Sequence, residues 1–140
     1  MESRKRYSYL TSEIDAAYHE AARKLGLSDS AMRILYTICL NGDDCPLSDI
    51  VSLSGISKQT INSALRKLED AGVVETVGRK KKQVHLTAGG KLLAQNTALR
   101  VLKIEDEVFA SWSNAELERY IALTEKFLSD FQEKIKDLQV

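Results

Sequence analysis

After Gly72 the hydrophobic pattern switches from helical to alternating, and what lies on either side of that switch restricts the fold more than anything else in these 140 residues. Before it, residues 47–53 read as a short helix entered at Pro46, whose missing N–H has no partner to lose in a first helical turn, and stopped at Ser54-Gly55. Ser57 caps the next helix, whose inward side chains are Ile61, Ala64, Leu65 and Leu68 and which closes at Ala71-Gly72. Beyond Gly72, residues 73–77 and Gln83–Leu86 are rich in β-branched side chains. They flank Gly78-Arg79-Lys80-Lys81-Lys82 and predict a hairpin with a basic tip. A short helix, a glycine turn and a second amphipathic helix make a helix-turn-helix. In it Val51 is small enough at the crossing, Gly55 permits the turn, and Ile56, Ile61 and Ala64 lock the helices together.

The flanking segments are helical. Tyr7, Leu10, Ile14, Ala17, Tyr18, Ala21 and Leu25 recur at three- and four-residue steps, predicting a helix over about residues 5–25 with Gly26 as its stop. Ser28 caps a second helix over about 29–40, with Met32, Leu35, Tyr36 and Cys39 as its buried stripe and Asn41-Gly42 at its end. Thr87 opens a long fifth helix running to about Ser111, with Leu92, Leu93, Leu99, Leu102, Phe109 and Trp112 spread over more than one face. Ser113-Asn114-Ala115-Glu116 fits a capping box for a sixth, which repeats Leu117, Tyr120/Ile121, Thr124, Phe127/Leu128, Phe131, Ile135 and Leu138. Helices of this length span roughly 35 Å, more than a small core covers from one side, so the terminal helices require a partner. The fold class expected is mainly α with a small β-hairpin wing, in a single domain of one chain.

Net charge is zero, with 20 cations and 20 acids, but the charges are segregated. Residues 57–82 carry seven cations against three acids, and residues 83–103 add three cations and no acid. Residues 28–56 run one cation against four acids, and residues 104–140 four against nine. The positive charge therefore coincides with the helix-turn-helix and hairpin. The outer face of the helix capped by Ser57 presents Ser57, Lys58, Gln59, Thr60, Asn62, Ser63 and Arg66, all hydrogen-bonding types and none acidic, as the donor and acceptor edges of a major groove require. Arg66 and Lys58 suit guanine or phosphate, and Gln59 and Asn62 suit adenine. At the hairpin tip Arg79, Lys80, Lys81 and Lys82 repel one another unless a polyanion neutralises them.

The run Ile56-Ser57-Lys58-Gln59-Thr60-Ile61-Asn62-Ser63-Ala64-Leu65-Arg66-Lys67-Leu68-Glu69-Asp70-Ala71-Gly72-Val73-Val74-Glu75, followed by Val84-His85-Leu86-Thr87-Ala88-Gly89-Gly90, resembles the MarR family of winged-helix transcription regulators. The resemblance, which covers essentially the whole chain, implies a winged helix-turn-helix lobe at about residues 29–87 and dimerisation helices at about 5–25 and 88–138. It implies a homodimer that reads a pseudo-palindromic operator in double-stranded DNA, often with a small-molecule effector bound between lobe and dimer region. Two positions depart from the family pattern. Its wing Asp-Arg-Arg falls on Gly78-Arg79-Lys80 with a shortened loop before it, so the acid that orients the wing arginine is missing, and Ser63 stands where many members carry arginine.

Other functions find little support. There is no Gly-x-Ser-x-Gly, Walker, His-Glu-x-x-His or dinucleotide motif, so no enzyme and no cofactor is expected. Cys39 and Cys45 are too few for a disulfide scaffold or a zinc site, and His19 and His85 are too few for a histidine cluster, so no metal is expected. Cys39 reads as core, Cys45 as a loop residue open to oxidation, and Tyr7, Tyr9, Tyr18 and Tyr36 as packing or as the lining of an aromatic-effector pocket. No stretch approaches the ~20 apolar residues of a membrane span and the charged start has no apolar signal core, so a cytoplasmic location without membrane contact is expected. The competing reading is a winged-helix protein-interaction module without DNA binding, which would leave the basic tip without a purpose.

Overall fold

The computed structural model describes residues 1–139, which form two compact units, Met1–Leu102 and residues 103–139. The described residues hold seven α-helices and three strands, in the order α1 (Glu2–Lys24), α2 (Asp29–Leu40), β1 (Asp44–Pro46), α3 (Leu47–Ser54), α4 (Lys58–Asp70), β2 (Val74–Val77), β3 (Gln83–Leu86), α5 (Ala88–Asn96), α6 (Ala98–Ala110) and α7 (Asn114–Ile135). The strands form one antiparallel sheet in the order β1-β3-β2, and the architecture is that of a winged helix.

In the first unit a single core gathers the inward faces of α2, α3, α4, the sheet and α5. Ile34, Leu35, Ile38, Ile50, Ile61 and Val84 are wholly buried in it. The expected stripe of α4 is found intact, with Ile61, Ala64, Leu65 and Leu68 all inside. Gly55 closes α3 with φ 71°, making the turn expected of it. The side chains of Ser28 and Ser57 accept the N–H groups of Ala31 and Thr60, capping α2 and α4 as their sequences require. Thr87 caps α5 and also donates to the Gly72 carbonyl, tying the start of α5 to the end of α4. Gly90 allows that closeness, since a Cβ there would collide with the Val73 carbonyl.

Four expectations change. The long helix expected from Thr87 to Ser111 is two helices: Thr97 leaves helical geometry (φ −131°, ψ −92°), is buried, and its hydroxyl donates to the Leu93 carbonyl at 2.7 Å. α6 restarts at Ala98. Pro46 is not inside a helix. It ends a three-residue strand, β1, which pairs with β3 (Asp44↔His85, Cys45↔Val84, Pro46↔Gln83) and is too short to show a period in the sequence. Cys45, expected in a loop, is therefore buried in the sheet. The first helix begins three residues earlier than expected and buries only Ala22, although Ala21 and Leu25 also pack on the core.

The second unit contains the end of α6, a turn and α7. Ser113 caps α7 in a full capping box: its hydroxyl accepts the Glu116 N–H at 3.1 Å and the Glu116 carboxylate accepts the Ser113 N–H at 2.9 Å. Hydrogen bonding from the Ser113 backbone, and secondarily from its side chain, holds the Glu116 carboxyl below its ordinary pKa. Phe109, Trp112 and Tyr120 pack around the turn, the Trp112 ring lying edge-on to both neighbours with centroids 5.2 and 5.4 Å away. No residue of α7 is buried.

Candidate nucleic-acid interface

Burial of one stripe of α4 fixes the opposite stripe outward. Lys58, Gln59, Asn62, Ser63 and Arg66 are all exposed and line one shallow trough together with Lys67 and Asp70. None of the five makes an ion pair or a side-chain hydrogen bond within the described residues, so their polar groups are uncommitted. Ser57 and Thr60 are exposed too, but differ from the other five. The Ser57 hydroxyl accepts the Thr60 N–H at 3.2 Å and donates to the Thr60 hydroxyl at 2.9 Å. Ser57 thus spends a lone pair on the cap and its proton on the Thr60 hydroxyl, while Thr60 keeps its own proton for an outside acceptor.

The first turn of α4 contains no acid, which leaves the positive end of the helix unneutralised and favours an anion nearby. A second trough joins α4 to the start of α2 and is lined by Ser28, Ser30, Gln59, Thr60, Ser63 and Lys67. Lys67, Ser28 and Ser30 were not among the site residues expected from the sequence. Lys67 was visible only as part of the local charge excess, and the two serines belong to an element read solely for its cap. Asp70 also had no place in that list, and it puts an acid one turn beyond Arg66.

The hairpin is short and braced. Its register runs from Val74↔Leu86 to Val77↔Gln83, leaving the five residues Gly78, Arg79, Lys80, Lys81 and Lys82 outside the ladder. The Leu47 N–H donates to the Lys82 carbonyl at 2.9 Å, holding the base of the tip against the first residue of α3. The Thr76 hydroxyl donates to the Glu69 carboxylate at 2.8 Å, joining β2 to the last turn of α4. Gly78 adopts φ 98°, and a Cβ there would sit 2.5 Å from the Lys81 carbonyl oxygen. A side chain at this position would strain that turn. Arg79, Lys80, Lys81 and Lys82 are exposed, and within the described residues none has a carboxylate partner. Four like charges gathered on five residues attract a polyanion.

Burial and pairing set the state of the remaining cysteines and histidines. Burial, with a smaller push from Asp43, raises the Cys39 thiol to about 11, and burial followed by Asp49 and Asp44 raises Cys45 to about 11. Both thiols stay protonated at neutral pH, so neither is an activated nucleophile. His19 Nδ1 lies 2.8 Å from the Asp29 carboxylate and His85 Nδ1 lies 3.2 Å from that of Asp44. Within the described residues no group of three or more His, Cys, Asp or Glu side chains is placed to hold a metal, and no helix is long and apolar enough to cross a membrane.

Residues 25–82 match the model of the MarR family. Solved structures extend the likeness over nearly the whole chain. A MarR family regulator from Neisseria meningitidis is 19% identical, with 99% of this chain and 100% of that one covered at a TM-score of 0.87. MepR of S. aureus in its DNA-binding conformation is 20% identical over 89% of this chain and 98% of that one, at 0.76. BpsR of Bordetella bronchiseptica, whose DNA binding is regulated by 6-hydroxynicotinic acid, is 18% identical over 87% and 98%, at 0.64. No curated protein matches the sequence.

Proposed function

With its segment 25–82, the chain belongs to the MarR family of transcription regulators, and on that premise we propose that it is a sequence-specific DNA-binding regulator acting as a homodimer on a pseudo-palindromic operator. One observation carries the reading: five uncommitted polar side chains stand on the outer face of α4, and Glu69 and Thr76 hydrogen-bond that helix to β2, the strand leading into a hairpin tip of four unpaired cations. In this assignment α4 enters the major groove. Gln59 and Asn62 pair with adenine edges, Arg66 and Lys58 with guanine or phosphate, and Ser63 with either base edge. Thr60 donates to a phosphate at the helix start, and Ser57 acts mainly through the cap it forms. Arg79, Lys80, Lys81 and Lys82 neutralise the neighbouring backbone. Because the orienting aspartate is absent, these four supply affinity more than readout.

The apolar faces of the terminal helices support the dimer. On α7, Ile121, Leu128 and Phe131 are each about half exposed, at 49, 54 and 53%, and on α1 so are Leu10 and Ile14, at 53 and 47%. Two lobes related by a two-fold axis would meet half-sites about 34–36 Å apart. We also assign a response to a small molecule, which the ligand-regulated relative supports. The test is selection of sites from a random duplex pool. The expected product is an inverted repeat with half-sites one helical turn apart. A pool that remains unenriched after selection would remove the assignment.

A further inference from the structure

The dimer proposed above brings together two helix seams whose flanking charges are opposite. On α1, Leu10 and Ile14 continue the apolar face toward Tyr7, and Arg4 and Arg6 stand on its two sides, with Lys5 between them in sequence. All three cations are exposed, and within the described residues none has a carboxylate partner. On α7, Leu117, Ile121, Thr124, Leu128, Phe131 and Ile135 repeat at alternating steps of four and three, the spacing of a coiled-coil seam. Glu118 and Glu125 lie seven residues apart on one flank of that seam, about 10 Å from each other along the helix. Both are exposed and neither forms an ion pair within the described residues. In coiled coils, charges beside an apolar seam decide which helices pair.

We propose that the basic start of α1 in one copy docks beside the seam of α7 in a second copy, with Arg4 and Arg6 meeting Glu118 and Glu125. Each copy carries both the cationic and the anionic half, so a two-fold pair forms the contact twice and leaves neither half over. The contact would select for self-association over pairing with related chains that have a different charge pattern, and would weaken as salt screens it. The inference rests on the homodimer reading.

Two charge-reversed chains test it, R4E/R6E and E118K/E125K, in sedimentation equilibrium at low and high salt, with circular dichroism to confirm unchanged helix content. Each variant alone repeats a like-charge contact twice, and its dimer should weaken about tenfold or more at low salt. Mixed in equal amounts, the two should form a heterodimer of wild-type strength, because both contacts are then between opposite charges. Variants that dimerise as well as the wild type would overturn the pairing while leaving the homodimer intact. Weakened variants that mixing fails to rescue would place the contact within one chain and also overturn it. A wild-type chain that stays monomeric at tens of micromolar in every buffer would remove the homodimer itself.

Discussion

The winged-helix lobe and α7 use apolar residues in opposite ways. In the lobe, Ile61, Leu65 and Leu68 are inside and the polar residues of the same helix are outside, so α4 needs no further apolar neighbour. In α7 the apolar residues are just as regularly spaced, yet Ile121, Leu123, Leu128, Phe131 and Ile135 remain between 44 and 54% exposed. Amphipathic spacing is thus common to both, and only the first is completed within one chain. What each region leaves uncovered differs: uncommitted donors and cations on the lobe, hydrocarbon on the terminal helices.

The sharpest way to break this contrast is to make the same substitution in both regions. Leu65→Ala should cost about 2–5 kcal/mol of unfolding free energy, because it opens a cavity in a closed core. Leu128→Ala should leave the stability of the lobe unchanged and act on self-association. Chemical denaturation of the lobe beside sedimentation separates the two, and equal losses of lobe stability would erase the distinction. Next in size is neutralisation of the wing. Replacing Arg79, Lys80, Lys81 and Lys82 with alanine should weaken binding to every duplex by about 10- to 1,000-fold at moderate salt and reduce the salt slope by as much as ~3.6 per lobe, as titrations over a salt series would report.

Smaller effects discriminate within α4. Gln59→Ala or Asn62→Ala should lower discrimination between operator and mismatched sites by about 1–3 kcal/mol while changing affinity for random duplex little. Equal losses on specific and random DNA would contradict their role as reading residues. Ser57→Ala should instead reduce thermal stability by about 1 kcal/mol, since its hydroxyl serves the cap. A further prediction concerns the thiols. Folding raises Cys39 and Cys45 from 9.0 to about 11, favouring their neutral forms. The sign follows: their contribution to stability is fully present below pH 9 and is lost as pH rises through 11. At pH 8, alkylation should be far slower in the folded protein than in denaturant.

Much of the fold was legible in the sequence because each of its parts carries a local signal. Ser28, Ser57, Thr87 and Ser113 are caps in the sequence and in the structure, and the α4 stripe and the hairpin strands fall where period and composition place them. The misses involve tertiary terms. β1 exists because β3 offers it an edge, and three residues cannot show alternation. The break at Thr97 falls inside one continuous amphipathic pattern with no glycine or proline at that position, so a cap-to-cap reading passes over it. At the site, residue type identified the polar face, but only coordinates separate Ser57, bound into its cap, from Gln59 and Asn62, which are uncommitted. Ser28 and Ser30 escaped because their neighbourhood with α4 is made by packing, whereas Lys67, on α4 itself, counted only toward the local charge excess.

The central claim is that the lobe holds a polyanion, and titration of the wild-type chain with duplex DNA across a salt series tests it most directly. If six or more phosphates are neutralised per dimer, affinity should fall linearly in a double-logarithmic plot, by about 10³–10⁵ between 50 and 200 mM salt. Absence of binding at 50 mM salt, or affinity that does not change with salt, would contradict it.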